Sequence, residues 1–200
     1  MMQKRLFDIL VSILVLALFG PLVLLLAACI VFSSGRPAFY SGWRAGRAGA
    51  PFRIIKLRTM VANAENQGGA ETPSDDARIT RFGVFLRQYK LDELPQFVNV
   101  LLGDMSIVGP RPEVFEEICQ YGSKEREVLS LRPGITDWAS IKFRHEDEML
   151  CGAADPHEAY HTLIQPEKIA LGLKYTRNRS MKIDLLIIAK TASAVFRRNV

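Results

Sequence analysis

The chain has 200 residues, enough for one domain with its own core, and its 26 Lys and Arg against 21 Asp and Glu give a net charge of +5. That balance calls for an anionic partner. The aromatic residues are not interleaved with the basic ones as base-stacking platforms would be, so nucleic acid is set aside in favour of lipid and phosphate.

Hydrophobic residues make up 48% of the chain, and their excess sits near the N-terminus. From Leu6 to Phe32 the chain is almost wholly apolar, and a straight helix of that run would reach about 40 Å. A signal peptide fits poorly, because the stretch is too long and no small-residue cleavage site follows it. Gly20-Pro21 interrupts the middle. Pro21 has no N–H for the carbonyl of Ala17, which predicts a sharp bend. Lys4 and Arg5 precede the run; Arg36, Arg44, Arg47, Arg53 and Lys56 follow it. Basic residues on both flanks favour the cytoplasmic side for both ends. On these grounds a re-entrant segment and a spanning helix stand about even, since proline is tolerated in spanning helices. Asp8 is placed at the interface, with Arg5 as its partner.

Residues 33–51 read as a linker or hairpin at the membrane surface, with Phe39, Tyr40 and Trp43 as headgroup-level anchors. Phe52–Met60 reads as a strand. Residues 61–77, with Gly68-Gly69 and Pro73, read as a loop. Helical periodicity covers Arg78–Tyr89. A second helix starts near Leu91, with Leu94, Phe97, Val98 and Leu101 on one apolar face, Pro95 in its first turn and Gly103 as its stop. Residues 103–113 form turns, 113–130 a helix, and the segment around Pro133-Gly134 a turn and a strand. Residues 144–158 read as an acidic loop. Two amphipathic helices occupy 166–198. The second, ending in Arg197 and Arg198, suits either a membrane surface or a core.

Asp92 and Glu93 fall at the predicted start of the second helix. Acids are common there simply because they offset the helix dipole. Their neighbours add a second reading. Arg87 lies upstream, and Arg111 is held between Pro110 and Pro112 with little backbone freedom, which suits bidentate phosphate binding. Two carboxylates, two guanidinium groups and a helix N-terminus make a phosphoryl-transfer site. One carboxylate attacks phosphorus, and one or both hold Mg²⁺. The helix terminus is expected to keep Asp92 ionised at neutral pH.

His157 and His161 lie one helical turn apart, but no Cys or acidic residue completes a zinc set at the right spacing. His145 reads as a surface residue. The three cysteines, Cys29, Cys119 and Cys151, form no disulfide framework or metal knuckle and read as reduced thiols.

The segment Arg78–Glu113, "RITRFGVFLRQYKLDELPQFVNVLLGDMSIVGPRPE", resembles the signature of the monotopic phosphoglycosyl transferases, also called bacterial sugar transferases. Lys4–Asp8, Lys56–Met60, Arg132–Ile141 and Asp184–Thr191 match the other segments of that family in order. The resemblance covers essentially the whole chain. It implies an α+β, mainly helical, monotopic membrane protein. Residues 1–35 would be a re-entrant helix-break-helix and residues 36–200 a cytoplasmic catalytic domain with interfacial helices. It also implies that Asp92 is the nucleophile, forming a covalent phosphosugar intermediate and releasing UMP from a UDP-sugar. Glu93 is its dyad partner, with Mg²⁺ nearby. Arg87, Pro110, Arg111 and Pro112 contact phosphate and nucleotide, and Lys56 and Arg58 join them through the match of their segment. The acceptor is undecaprenyl phosphate. The setting is phospholipid at the cytoplasmic face of the bacterial inner membrane, in polysaccharide or glycoconjugate synthesis. The family often carries Ser-Pro at the break, whereas Gly20 supplies no hydroxyl for a freed carbonyl. The residues do not name the sugar, and homo-oligomerisation is left open.

Overall fold

Helix α1 (Met2–Ser34) keeps its helical course through Gly20 and Pro21. A proline kink is compatible with such an unbroken course, because only one ladder bond is lost. The structure is a computed structural model that describes residues 2–67, 69 and 72–196; Gly68 of the predicted loop and the terminal Arg197 and Arg198 lie outside them. Among the described residues, α1 is the one helix long and apolar enough to cross a membrane.

Both ends of α1 are tied into the rest of the chain. Near the N-terminus, Lys4 Nζ reaches Asp184 Oδ2 at 2.8 Å, and Arg5 donates to the carbonyls of Val100 and Leu101 at 2.6 and 3.0 Å. Asp8 is buried and accepts from Ser106 Oγ at 2.8 Å. The expected Arg5–Asp8 pairing is therefore replaced. Arg5 instead satisfies carbonyls at a helix C-terminus, and Lys4 is the cation beside Asp8, at 3.7 Å. Towards the C-terminus, Val23, Leu26, Ala27 and Ile30 are buried in a cluster with Leu57 and Leu86. Full burial of a Leu or Ile side chain stabilises by about 1.5–3 kcal/mol. Between these anchors Ile13, Leu14, Leu18 and Phe19 are exposed, as are Leu24 and Leu25 within the second anchor.

Strands β1 (Phe39–Ala45) and β2 (Pro51–Leu57) form an antiparallel hairpin, so the surface segment is a hairpin rather than a linker. The Arg53 guanidinium lies 4.9 Å from the centre of the Trp43 ring. Thr80 caps helix α2 (Arg81–Gln88) by accepting from Gly83 N–H. A Cβ at Gly83 would sit 1.9 Å from the Thr59 carbonyl oxygen, so glycine is what lets α2 close onto the strand end.

A short 3₁₀ turn (Leu91–Glu93) leads into helix α3 (Gln96–Leu102), which stops at Gly103 with φ of 95°. The face of α3 differs from the expected one. Its buried residues are Gln96, Asn99 and Val100. Asn99 takes the Ile55 N–H at 2.9 Å and donates to the Arg53 carbonyl at 2.7 Å, so this polar side chain extends the ladder of β2. Leu102 is exposed, and Leu94 and Phe97 are only partly buried.

Strands β3 (Ser106–Val108) and β4 (Gly134–Thr136) pair in parallel. Between them run helix α4 (Phe115–Cys119) and a 3₁₀ segment, Glu125–Ser130. Helices α5 (Trp138–Lys142), α6 (Glu146–Met149) and α7 (Pro156–Ala159) follow. The acidic stretch expected to be a loop thus carries short helices, because Asp155 caps α7 and the first-turn acids of α6 offset its dipole. A π turn (Tyr160–Ile164) leads into α8 (Gln165–Asn178), and α9 (Met181–Phe196) ends the described chain. On α9, Asp184 and Ile187 are buried while Leu185 and Leu186 are exposed. One face therefore joins the core and the other stays open. That core comprises Phe52, Ile54, Val100, Met105, Ile107, Val108, Tyr175 and Ile187.

Candidate active site

Asp92 and Glu93 sit on the 3₁₀ turn ahead of α3, not inside a long helix, and Asp92 is 7% exposed. β2 brings Lys56 to them. Its Nζ lies 3.0 Å from Glu93 Oε1. The turn after β3 brings Arg111, whose Nη2 lies 3.5 Å from the same oxygen. Glu93 is thus clamped between two cations from different elements. Burial raises its pKa, but Lys56, Arg111 and Lys90 outweigh that and hold the carboxyl at about 2.

Asp92 differs. Burial pushes its carboxyl above the ordinary range, against the opposing charges of Lys56, Lys90 and Arg87, while neighbouring Glu93 raises it further. The short turn offers little dipole to offset this, so desolvation sets the direction of the shift. Its Oδ1 is buried without a hydrogen-bond partner. The pair therefore divides into an ionised anchor and a weakly solvated, more basic neighbour.

The sequence-predicted residues are brought together unequally. Arg87 donates from Nε to Thr59 Oγ1 at 3.0 Å. Burial lowers its pKa, and Asp92 opposes that effect. Pro110 and Arg111 line a cleft with Glu113, Tyr121, Asp137 and Lys168, and Pro112 is buried beside them. Arg58 goes elsewhere. Its Nη2 bonds the carbonyls of Ser34 and Gly35 at 2.8 and 2.7 Å, where it caps the end of α1.

The turn bearing Arg111 is fixed by a close backbone approach. Gly134 N–H donates to the Pro110 carbonyl at 2.9 Å, and Gly109 N–H to that of Thr136 at 3.1 Å. A Cβ on Gly134 would lie 2.1 Å from the Gly109 nitrogen, so only glycine lets these strands meet.

Around Arg111, besides Glu93, stand further acids that sequence reasoning did not single out. Burial would lower the Arg111 pKa, but Glu93, Glu146, Glu113 and Asp137 raise it well above its ordinary value. Lys168 is buried, ion-paired with Glu146, and 4.8 Å from the centre of the Tyr160 ring. Burial raises the Glu113 pKa against Lys168 and Arg111. The one sequence signal was the acidic run that contains Glu146; its approach to Arg111 depends on α8 folding back.

The family model described as bacterial sugar transferase matches residues 1–198. A UDP-glucose:undecaprenyl-phosphate glucose-1-phosphate transferase of Caulobacter vibrioides is 36% identical over 197 residues, 97% of this chain and 70% of that protein. An exopolysaccharide production protein ExoY of Sinorhizobium fredii is 36% identical over 208 residues, 96% of this chain and 85% of its own length. A UDP-N-acetylgalactosamine-undecaprenyl-phosphate N-acetylgalactosaminephosphotransferase of Aeromonas hydrophila is 37% identical over 198 residues, 96% of this chain but 43% of that larger protein.

Proposed function

Since the chain belongs to the bacterial sugar transferase family and is a transferase, we propose that it moves a sugar phosphate from a UDP-sugar to undecaprenyl phosphate by way of a phosphosugar carried on Asp92. The observation that carries this reading is the unequal dyad: Asp92 Oδ1 is buried without a partner, while Glu93 is held by Lys56 and Arg111. A carboxylate poorly stabilised in its charged form is the more basic and more nucleophilic of the two.

In the first step an Asp92 oxygen bonds the sugar-bearing phosphorus. The bond from that phosphorus to the bridging oxygen breaks, and its electron pair leaves with UMP. In the second step a phosphate oxygen of undecaprenyl phosphate attacks the same phosphorus. The acyl phosphate bond breaks, Asp92 regains its carboxylate, and the sugar diphosphate stays on the lipid. Arg111 and Arg87 orient the diphosphate and oppose its charge. The adjacent carboxylates, one with an oxygen left without a hydrogen-bond partner, are hard oxygen donors that fit Mg²⁺. Bound by Asp92 and Glu93, the ion would offset the charge of the diphosphate.

The membrane reading follows from α1. Packing of both of its ends against one catalytic unit, with an exposed apolar middle, supports re-entry from the cytoplasmic face of the inner membrane. A spanning helix would carry one end away from that unit.

The test is a screen of UDP-sugars for UMP release, with and without undecaprenyl phosphate. The reading expects release by the wild type and a fall of at least about a thousandfold in Asp92→Asn, as loss of a nucleophile implies. Wild-type rates in Asp92→Asn would overturn it. For re-entry, labels at Met1 and Val200 are expected on the same side of the membrane; labels on opposite sides reject it.

A further inference from the structure

The histidine pair left unassigned in the sequence finds a third partner in the fold. Glu117, on α4, meets His157 of α7 and His161 of the π turn, with one ligand atom from each within 4.8 Å of the others. The missing donor lay 40 residues upstream of His157 in sequence, which is why spacing alone did not reveal it.

The hydrogen bonds around Glu117 fix the chemistry of His161. A carboxylate only accepts, so Gln165 must turn its amide NH₂ towards Glu117 Oε2, as it does. That orientation leaves Gln165 Oε1 facing His161 Nδ1 at 2.6 Å, so Nδ1 carries the proton. In the neutral ring His161 Nε2 is then the lone-pair nitrogen. It is buried without a hydrogen-bond partner and lies 3.4 Å from Glu117 Oε1. Two acceptors face each other, and each needs a cation between them.

The separation suits a metal ion better than a shared proton. A charge-assisted hydrogen bond would draw the atoms to about 2.7–2.9 Å. Zinc bonds nitrogen and oxygen at about 2.0–2.2 Å, which puts the ligand atoms of a tetrahedron about 3.4 Å apart. The 3.4 Å between Glu117 and His161 matches that edge, and all three ligand atoms lie within 4.8 Å of one another. The two imidazole rings meet edge to face, 4.3 Å between centres, so charging both by protonation would set like charges together. A metal ion keeps both rings neutral. Gln165 acts as the outer hydrogen-bonding residue that sets the tautomer of one ligand and occupies the spare oxygen of another.

We propose that Glu117, His157 and His161 form a zinc-class transition-metal site, separate from the Asp92–Glu93 pair, with a fourth position open to solvent beside the exposed His157. The ion would fasten α4 to the arm leading into α8, and so hold Lys168 and Glu146 against Arg111. The proposal does not depend on the transferase reading.

The test uses tag-free, full-length protein in detergent micelles, incubated with Zn²⁺ in excess Mg²⁺ and desalted, with zinc measured by mass spectrometry. The wild type and Asp92→Asn are expected to retain about one zinc per chain, as one three-ligand site requires. His157→Ala is expected to retain less than about a tenth of that, a loss at least as large as outer-shell substitutions cause. Because His157 is exposed, the loss does not follow from unfolding, and circular dichroism checks this. After chelation, Co²⁺ is expected to give the visible absorption of a four-coordinate ion in the wild type but not in His157→Ala. Sub-stoichiometric zinc in the wild type, equal retention by His157→Ala, or loss in Asp92→Asn would each overturn the proposal.

Discussion

Replacing Lys56 by Met probes the division of labour in the dyad. The Nζ lies 3.0 Å from Glu93 Oε1. At an effective dielectric of about 20, unit charges at that separation attract by about 5.5 kcal/mol. Both side chains are largely shielded, at 20% and 14% exposure, so the desolvation of Lys56 offsets part of this gain. Arg111 stays at 3.5 Å and keeps part of the compensation. The expected net cost is about 2–4 kcal/mol, somewhat below the roughly 3–5 kcal/mol for removing one partner of a buried pair, because Arg111 remains. That corresponds to a fall in Tm of about 4–16 °C for a chain of this size. Lys56 is also the charge that most restrains the upward shift of the Asp92 pKa. Its loss raises that pKa further. Attack requires the ionised form, so the acid limb of UMP release moves to higher pH. Lys56→Arg, which keeps the charge, should leave the limb near its wild-type position. The assay is a pH profile of kcat/KM beside thermal unfolding. A folded Lys56→Met protein with an unmoved acid limb would refute the reasoning.

Other outcomes follow from the same geometry. The folded pKa of Glu93 is depressed from 4.5 to about 2, so its stabilising contribution is present above about pH 4.5 and is lost as pH falls towards 2. Glu93→Gln should flatten that part of the acid unfolding curve; an unchanged curve counts against the clamp. The folded pKa of Asp92 is raised, so its ionisation opposes folding as pH rises through it. Asp92→Asn should therefore lose activity yet unfold at a higher temperature at neutral pH, and a lower Tm would contradict this. Gly134→Ala drives a Cβ to 2.1 Å from the Gly109 nitrogen and should cost at least about 1–3 kcal/mol. It should also weaken donor binding by moving Arg111, seen as a raised KM. Arg5→Ala removes bonds to two α3 carbonyls and should lower stability by about 1–3 kcal/mol, measured by thermal unfolding.

The sequence signal is strongest where it is local. Asp92, Glu93 and the proline-flanked Arg111 stand out as residue types in a short span, and the structure brings Arg111 to the oxygen of Glu93. What was hidden depends on long-range return of the chain. Periodicity marked the apolar residues of α3, yet Asn99 is buried because it completes the bonding of β2. Arg58 read as a phosphate ligand from its segment, but the carbonyls ending α1 claim it. Glu146 and Lys168 meet only after α8 packs back. No spacing rule reaches across that gap, nor across the one between Glu117 and the histidines. The acidic stretch was read as a loop from its composition, whereas caps such as Asp155 make short helices there.

The most direct measurement is mass spectrometry of the intact protein after incubation with a UDP-sugar and Mg²⁺ but no lipid acceptor, followed by digestion to locate the modification. The account predicts a mass increase equal to one sugar phosphate, mapped to Asp92 and discharged when undecaprenyl phosphate is added. Turnover of the same donor with no adduct at any time, or an adduct on Glu93 with Asp92 unmodified, would contradict it.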